Sequence, residues 1–181
     1  MGHGPRVHMN YNGSLVLATT ETGVLKIISG ASNKVTSVLE TSVDLDTWTY
    51  LTLVYDNSDF SVSVYKDGTL VATKNNTQQL ELFGDDPCIF FVGGAGFSGF
   101  CDEFQFFDRA LNSNDVKQAY SNPQNISGLT VWYDFNTIEE GSSFTNKVTE
   151  SDQVNTKATF YNLTGGQTNS DGGYISITNY T

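Results

Sequence analysis

Three carboxylates and one indole carry the greatest chemical capacity in this chain: Asp102 and Glu103, then Trp132 and Asp134. Two carboxylates hydrolyse a glycoside when they share a surface about 5–10 Å apart. In an extended Cys101–Asp108 segment Asp102 and Glu103 are adjacent, so they face opposite sides. The next positions on those sides are Phe104 and Gln105, and no second carboxylate stands two residues on. Asp85-Asp86 and Glu139-Glu140 lie in loop-like sequence. No enzyme is expected. The indole offers other chemistry, because sugar sites join an aromatic face to side chains that hydrogen-bond hydroxyls. Parity puts Leu129, Val131, Tyr133 and Phe135 on one face of a strand and Trp132 and Asp134 on the other. Trp132 with Asp134 is the first ligand platform; Tyr65, with Ser61 and Ser63, is the second. Packing of these rings against a neighbouring loop or sheet edge is the competing account.

Both histidines, His3 and His8, lie in MGHGPRVHM, whose composition differs from the rest and reads as a tag or flexible leader over 1–9. Residues 10–181 hold no histidine, which excludes a Ser-His-Asp triad, a Cys-His pair and a His-ligated zinc site there. Glu103 and Arg109 read as a structural ion pair at the end of one strand. Cys88 and Cys101 fall opposite each other if 89–92 and 97–104 form a hairpin, giving either a disulfide or two buried thiols. Asn12, Asn75, Asn125, Asn162 and Asn179 each open an Asn-x-Ser/Thr sequence, the acceptor pattern for N-glycosylation.

The elements that must position these residues are strands. β-branched and aromatic runs, separated by Gly, Asn and Asp, predict strands at 14–20, 24–29, 34–39, 48–55, 60–66, 69–74, 89–92, 100–107, 129–135, 157–161 and 174–178. In 60–66, Phe60, Val62 and Val64 take one face and Ser61, Ser63 and Tyr65 the other. Asp67-Gly68 supplies a tight hairpin turn. Trp48 is assigned to the core. One short helix follows Asn112-Ser113-Asn114-Asp115, buries Val116, Ala119 and Tyr120, and ends at Asn122-Pro123. Residues 139–155 read as a long polar loop.

Composition agrees. The 181 residues include 12 Phe, 9 Tyr and 2 Trp for a core, and 16 Asn, 17 Ser and 21 Thr for turns and strand faces. A net charge of −11 removes the electrostatic basis for binding nucleic acid or an anionic membrane surface. No apolar run approaches the roughly 20 residues of a membrane-spanning helix, so no membrane insertion is expected.

The sequence from Trp48 to Tyr120 carries a family pattern. It reads W48-TYLTLVYD, then V64-Y-K-D-G68, then F91-V-G-G94, then F97-S-G-F-C-D-E103-F-Q-F-F-D-R-A-L111. These motifs, in this order, resemble the laminin G-like jelly roll of the concanavalin A-like lectin/glucanase superfamily. LTVWYDF at 129–135 and GGYISI at 172–177 resemble the family's opening strands, placed here after the helix.

The resemblance implies an all-β, two-sheet antiparallel jelly-roll sandwich with one short helix. A single sandwich is expected over 10–181, with 10–122 as the back of the family pattern and 123–181 as the front, through permutation or a cut across tandem modules. The resemblance also implies calcium where the first and last strands meet, at Asp102 and Asp134; solvated surface acids are the alternative. The function expected is a non-catalytic extracellular recognition or adhesion module for glycans or cell-surface or matrix proteins. A structural module completed by strand exchange between copies is the second reading, and a glycoside hydrolase the third.

Overall fold

The computed structural model of the chain describes residues 14–19, 22–31, 34–75, 99–122, 126–136, 143–145, 147–148, 157–159, 166–169 and 172–177. Among these, the structure is antiparallel β-sheet with one short helix, the all-β class that the alternating pattern predicts. The chain divides into two compact units, Met1–Phe90 with Arg109–Ile126, and Phe91–Asp108 with Ser127–Thr181. Segments near residue 100 fall in the second unit because they pair with strands from the C-terminal third.

In the first unit β1 (Ser14–Thr19), β2 (Val24–Ala31) and β3 (Lys34–Ser42) form one sheet in that order. A second sheet joins β4 (Leu51–Asp56), β5 (Ser61–Lys66) and β6 (Thr69–Lys74). Leu25 of β2 is fully buried with Val62 and Val64 of β5, and Leu39, Val43, Leu51, Leu53 and Tyr55 pack around them. Full burial of each such side chain contributes roughly 1.5–3 kcal/mol, so this cluster helps to hold the two sheets together. The β5–β6 turn is the one expected. Asp67 and Gly68 both take positive φ, 50° and 75°, as a two-residue hairpin turn requires. Asp67 is further held by Tyr50, whose backbone N–H donates to Asp67 Oδ1 at 2.9 Å.

Two expectations for this unit fail. Tyr65 is buried, because the register shifts between Val64 and Tyr65 and turns both side chains inward. Trp48, assigned to the core, is 60% exposed; β4 begins only at Leu51, leaving Trp48 outside the ladder.

Helix α1 (Ser113–Ser121) starts and stops as predicted. Asn112 Oδ1 accepts from the Asn114 and Asp115 N–H groups, while the Asp115 carboxylate accepts from the Asn112 N–H, a complete capping box. Val116 and Ala119 are buried, whereas Tyr120 is exposed and sets its ring against Tyr50 at 5.4 Å. No described helix is long and apolar enough to cross a membrane.

In the second unit β7 (Gly99–Cys101), β8 (Phe104–Phe107) and β9 (Leu129–Tyr133) are followed by β10 (Ser143–Thr145), β11 (Lys157–Thr159), β12 (Gly166–Asn169) and β13 (Gly172–Ile177). The pairings are β12-β13-β7, β8-β9 and β10-β11. β10 lies within the stretch expected to be loop, and β12 was not anticipated; both are short and polar, without an apolar alternation to mark them. Phe104, Tyr133 and Phe135 stack in series, with ring centroids 6.4 and 6.3 Å apart. The expected strand at 89–92 lies outside the described residues.

Candidate functional site

The single strand expected over 100–107 is two strands with a break at Asp102-Glu103, and the break builds the site. Glu103 takes a φ of 52°, left-handed backbone that a strand residue does not use. Asp102 supports it by accepting the Glu103 N–H through Oδ1 at 2.8 Å. The chain therefore leaves β7, which pairs with β13, and enters β8, which pairs with β9. Strict alternation of faces ends at that point.

β8 and β9 are in register through Gln105 opposite Trp132 and Phe104 opposite Tyr133. One residue further along both chains come Glu103 and Asp134. Glu103 Oε2 accepts a 2.6 Å hydrogen bond from the Trp132 indole Nε1, so the ring is held by a carboxylate in the break just before the neighbouring strand. Asp134 pairs with Lys147 at 3.4 Å and accepts the Asn136 N–H at 3.3 Å. Lys147 also donates its backbone N–H to the Trp132 carbonyl at 2.8 Å, which ties the far side of β9 to the same cluster. Tyr133 and Phe135, the parity partners assigned to the core, are buried; Trp132 and Asp134 are half-buried.

Asp102 is the electrostatic outlier. Burial pushes its carboxyl up to about 6; the Glu103 N–H bond pulls against this, and the charges of Glu103 and Asp134 add to the rise. Asp102 and Asp134 thus do come within electrostatic reach of each other. Among the described residues, however, no group of three His, Cys, Asp or Glu is placed to hold a metal ion. The oxygens of Asp134 already serve Lys147 and the Asn136 N–H.

Other expected site residues fall elsewhere. Tyr65 is no surface platform: it is buried, with its hydroxyl 3.3 Å from Ser113 Oγ. Glu103 and Arg109 belong to different compact units, and each has a partner in its own. Glu103 takes the indole N–H, while Arg109 Nη1 donates to Asp115 Oδ2 at 2.8 Å and to the Ala110 carbonyl at 3.2 Å. The strand break at Glu103 and the capping role of Asp115 explain the exchange of partners. Cys101 is a free thiol; its ladder partner is Ile175, and burial pushes its pKa up to about 12. Cys88 lies outside the described residues. Asn75 is exposed just beyond β6, and Asn12, Asn125, Asn162 and Asn179 lie outside the described residues.

The arrangement is an aromatic ring of fixed orientation bordered by carboxylate oxygens, on a two-strand platform. A laminin G-like family model, described as concanavalin A-like lectin/glucanases superfamily, matches residues 2–117. The chain belongs to this family. The match covers more than half of the 181 residues and begins inside the segment expected to be a leader. No curated protein and no solved structure matches. Membership fixes the concanavalin A-like jelly roll as the fold class and is consistent with a non-catalytic binding module. Asp102 and Glu103 lie within the matched span of this laminin G-like chain, and Trp132, Asp134 and Lys147 beyond it. Sequence reasoning missed Lys147 and the partnership of Glu103 with Trp132. Adjacent acids before an aromatic strand hinted at a break, whereas nothing local marked Lys147.

Proposed function

We propose that this laminin G-like chain is a non-catalytic extracellular recognition module whose Trp132 platform binds a glycan, displayed free or on a surface protein. The observation that carries the reading is the 2.6 Å hydrogen bond that the indole N–H donates to Glu103, which fixes the ring two residues before Asp134. A ring held in one orientation loses little conformational freedom on binding, and nearby carboxylate oxygens accept hydrogen bonds from sugar hydroxyls. Hydrolysis is less well supported. Of the three acids, Glu103 is engaged by the indole and Asp134 by Lys147, so Asp102 lacks the second free carboxylate that glycoside hydrolysis uses. Pairing of β13 with β7 and of β9 with β8 inside one chain favours a self-contained module over strand exchange between copies.

The test is a glycan array probed with the chain, in calcium and then in chelator, followed by titration of each hit with wild type and Trp132→Ala. Loss of binding in Trp132→Ala, with unchanged far-ultraviolet circular dichroism, is the expected result. Equal binding by the two proteins would move the site elsewhere. Calcium assistance is read from the chelator arm. Release of reducing sugar from any hit would make the chain a hydrolase.

A further inference from the structure

Residues 43–50 carry the chain from β3 to β4, and 44–48 are exposed throughout. Two large apolar side chains stand in this turn, Leu45 at 54% exposure and Trp48 at 60%. A single exposed apolar residue is ordinary on a folded surface, but two on one turn, one of them tryptophan, concentrate buriable area. The turn is tethered at both ends. The Val43 N–H donates to the Gly23 carbonyl at 2.8 Å, and Tyr50 exchanges two 2.9 Å hydrogen bonds with Asp67. Between them, Lys66 Nζ donates to Asp44 Oδ2 at 2.6 Å, and the Thr47 hydroxyl donates to the Leu45 carbonyl at 3.2 Å. Leu45 stands over Gly23, where a Cβ would lie 3.6 Å from its Cγ. A turn held in this way loses little freedom when it docks.

Charge selects the occupant. Asp44 and Asp46 are the charged residues of 44–48, with no lysine or arginine among them. Lys66 pairs with Asp44, whereas no cation among the described residues pairs with Asp46. The chain as a whole carries −11. That field repels a second copy, a nucleic acid and an anionic membrane, and attracts a basic protein over roughly 8–10 Å at physiological salt. We propose that the turn at 44–48 docks a basic protein, with Trp48 and Leu45 entering an apolar pocket whose rim presents lysine or arginine to Asp46. Tryptophan in a desolvated pocket is a frequent interface anchor, and a rim charge sets on-rate and salt dependence. Trp48 belongs to the first compact unit and Trp132 to the second, and the inference stands without the glycan reading.

The experiment titrates the full chain with three labelled peptides of equal length: leucine alternating with lysine, serine with lysine, and leucine with glutamate. Wild type is compared with Trp48→Ala, Leu45→Ser and Asp46→Asn, the last because asparagine also tolerates the positive φ of 56° found there. The leucine–lysine peptide should bind wild type best. Trp48→Ala should weaken that binding about tenfold or more, Leu45→Ser by a smaller factor, and Asp46→Asn chiefly by flattening its dependence on salt. Both apolar side chains are exposed, so the two variants should keep the wild-type circular dichroism and check each other. Equal binding of this peptide by wild type and Trp48→Ala overturns the proposal. So does equal affinity for the serine–lysine peptide, which would leave bulk charge as the whole attraction. Binding to phosphatidylcholine vesicles, or a mass that grows with concentration, in wild type but not in Trp48→Ala would overturn it in favour of a lipid surface or a second copy. None of these readouts uses a glycan, so failure here and failure of the Trp132 reading are separate results.

Discussion

The indole of Trp132 donates to Glu103 across the β8–β9 pair at 2.6 Å, although Glu103 lies just beyond the end of β8. The bond depends on the left-handed backbone at Glu103, where φ is 52°. An uninterrupted strand would alternate Asp102 and Glu103 to opposite faces. The break instead brings Asp102, Glu103 and Asp134 into one electrostatic neighbourhood, with the indole bound to one of the three.

Removing that acceptor should be felt in stability and in fluorescence. Glu103→Ala leaves the half-buried indole N–H without its carboxylate, which costs about 1–3 kcal/mol. Glu103→Gln keeps an amide oxygen in reach and should cost less. Both variants place the same Cβ in the same left-handed backbone, so their difference isolates the hydrogen bond. Urea unfolding of both in a Trp48→Phe background, followed by the emission of Trp132 alone, measures it. Equal stabilities would show that the bond contributes nothing.

Asp102 predicts a pH dependence of definite sign. Its folded-state pKa, about 6, lies above the ordinary 3.8, so the unfolded chain gives up this proton more readily. Below about pH 4 the group is protonated in both states and its contribution to stability is fully present. That contribution falls as pH rises from about 4 to about 6 and is level above. One pKa unit corresponds to about 1.4 kcal/mol, and solvent screening of this partly hydrated group reduces the total change to roughly 1–2 kcal/mol. Asp56 and Asp115 have lowered pKa values and act in the opposite direction, their stabilisation being lost as pH falls through those values. The measurement is therefore the difference between wild type and Asp102→Asn at pH 4, 5, 6 and 7, which should grow in favour of the variant across that range. A flat difference would mean that Asp102 titrates normally.

The elements that could be read from sequence were those whose signal is local. The Asp67-Gly68 turn, the Asn112 cap and the shared buried face of Val62 and Val64 each follow from residues within a few positions of one another. Tyr65 could not be placed, because parity assumes an unbroken ladder and the shift between Val64 and Tyr65 is set by pairing with β6. Trp48 looked like core because it opens an apolar run, yet strand pairing starts three residues later. The site was half legible. Parity chose Trp132 of β9 and Asp134 just after it as an outward pair, while Glu103 and Lys147 enter through contacts distant in sequence.

Gly23 and Gly68 share a φ of 75° and differ in surroundings, which allows a controlled comparison. An alanine at either position bears the left-handed penalty of about 1–2 kcal/mol. At Gly68 the added Cβ would meet only ordinary contacts, the Lys117 Cα at 3.5 Å and the Tyr120 ring at 3.6 Å. At Gly23 it would collide with the Val43 carbonyl oxygen. The Gly23 carbonyl also accepts the Val43 N–H at 2.8 Å, so the two backbones cannot separate without losing that bond. Gly23→Ala should thus cost about 1–3 kcal/mol more than Gly68→Ala, the usual scale of overpacking. Chemical denaturation of the two single variants reads the difference directly, and equal costs would show that the contact between Gly23 and Val43 yields.

The start of α1 supplies a test in which charge and hydrogen bonding can be separated. Asn112 Oδ1 accepts two N–H groups, at 2.8 and 3.0 Å, while Asp115 Oδ2 accepts the Asn112 N–H at 3.2 Å and Arg109 Nη1 at 2.8 Å. Asn112→Ala removes the cap and should cost about 1 kcal/mol; Asn112→Asp and Asn112→Ser keep an acceptor and should cost little. Arg109→Ala leaves the cap in place and removes the guanidinium that does most to hold Asp115 below its ordinary pKa. The Asp115 carboxyl, followed by NMR, should then titrate at higher pH than in wild type. The surviving Asn112 N–H bond should keep it from reaching the value of an unpaired aspartate. If Asp115 titrates identically in both proteins, the ion pair is not populated in solution, and the cap alone orders this turn.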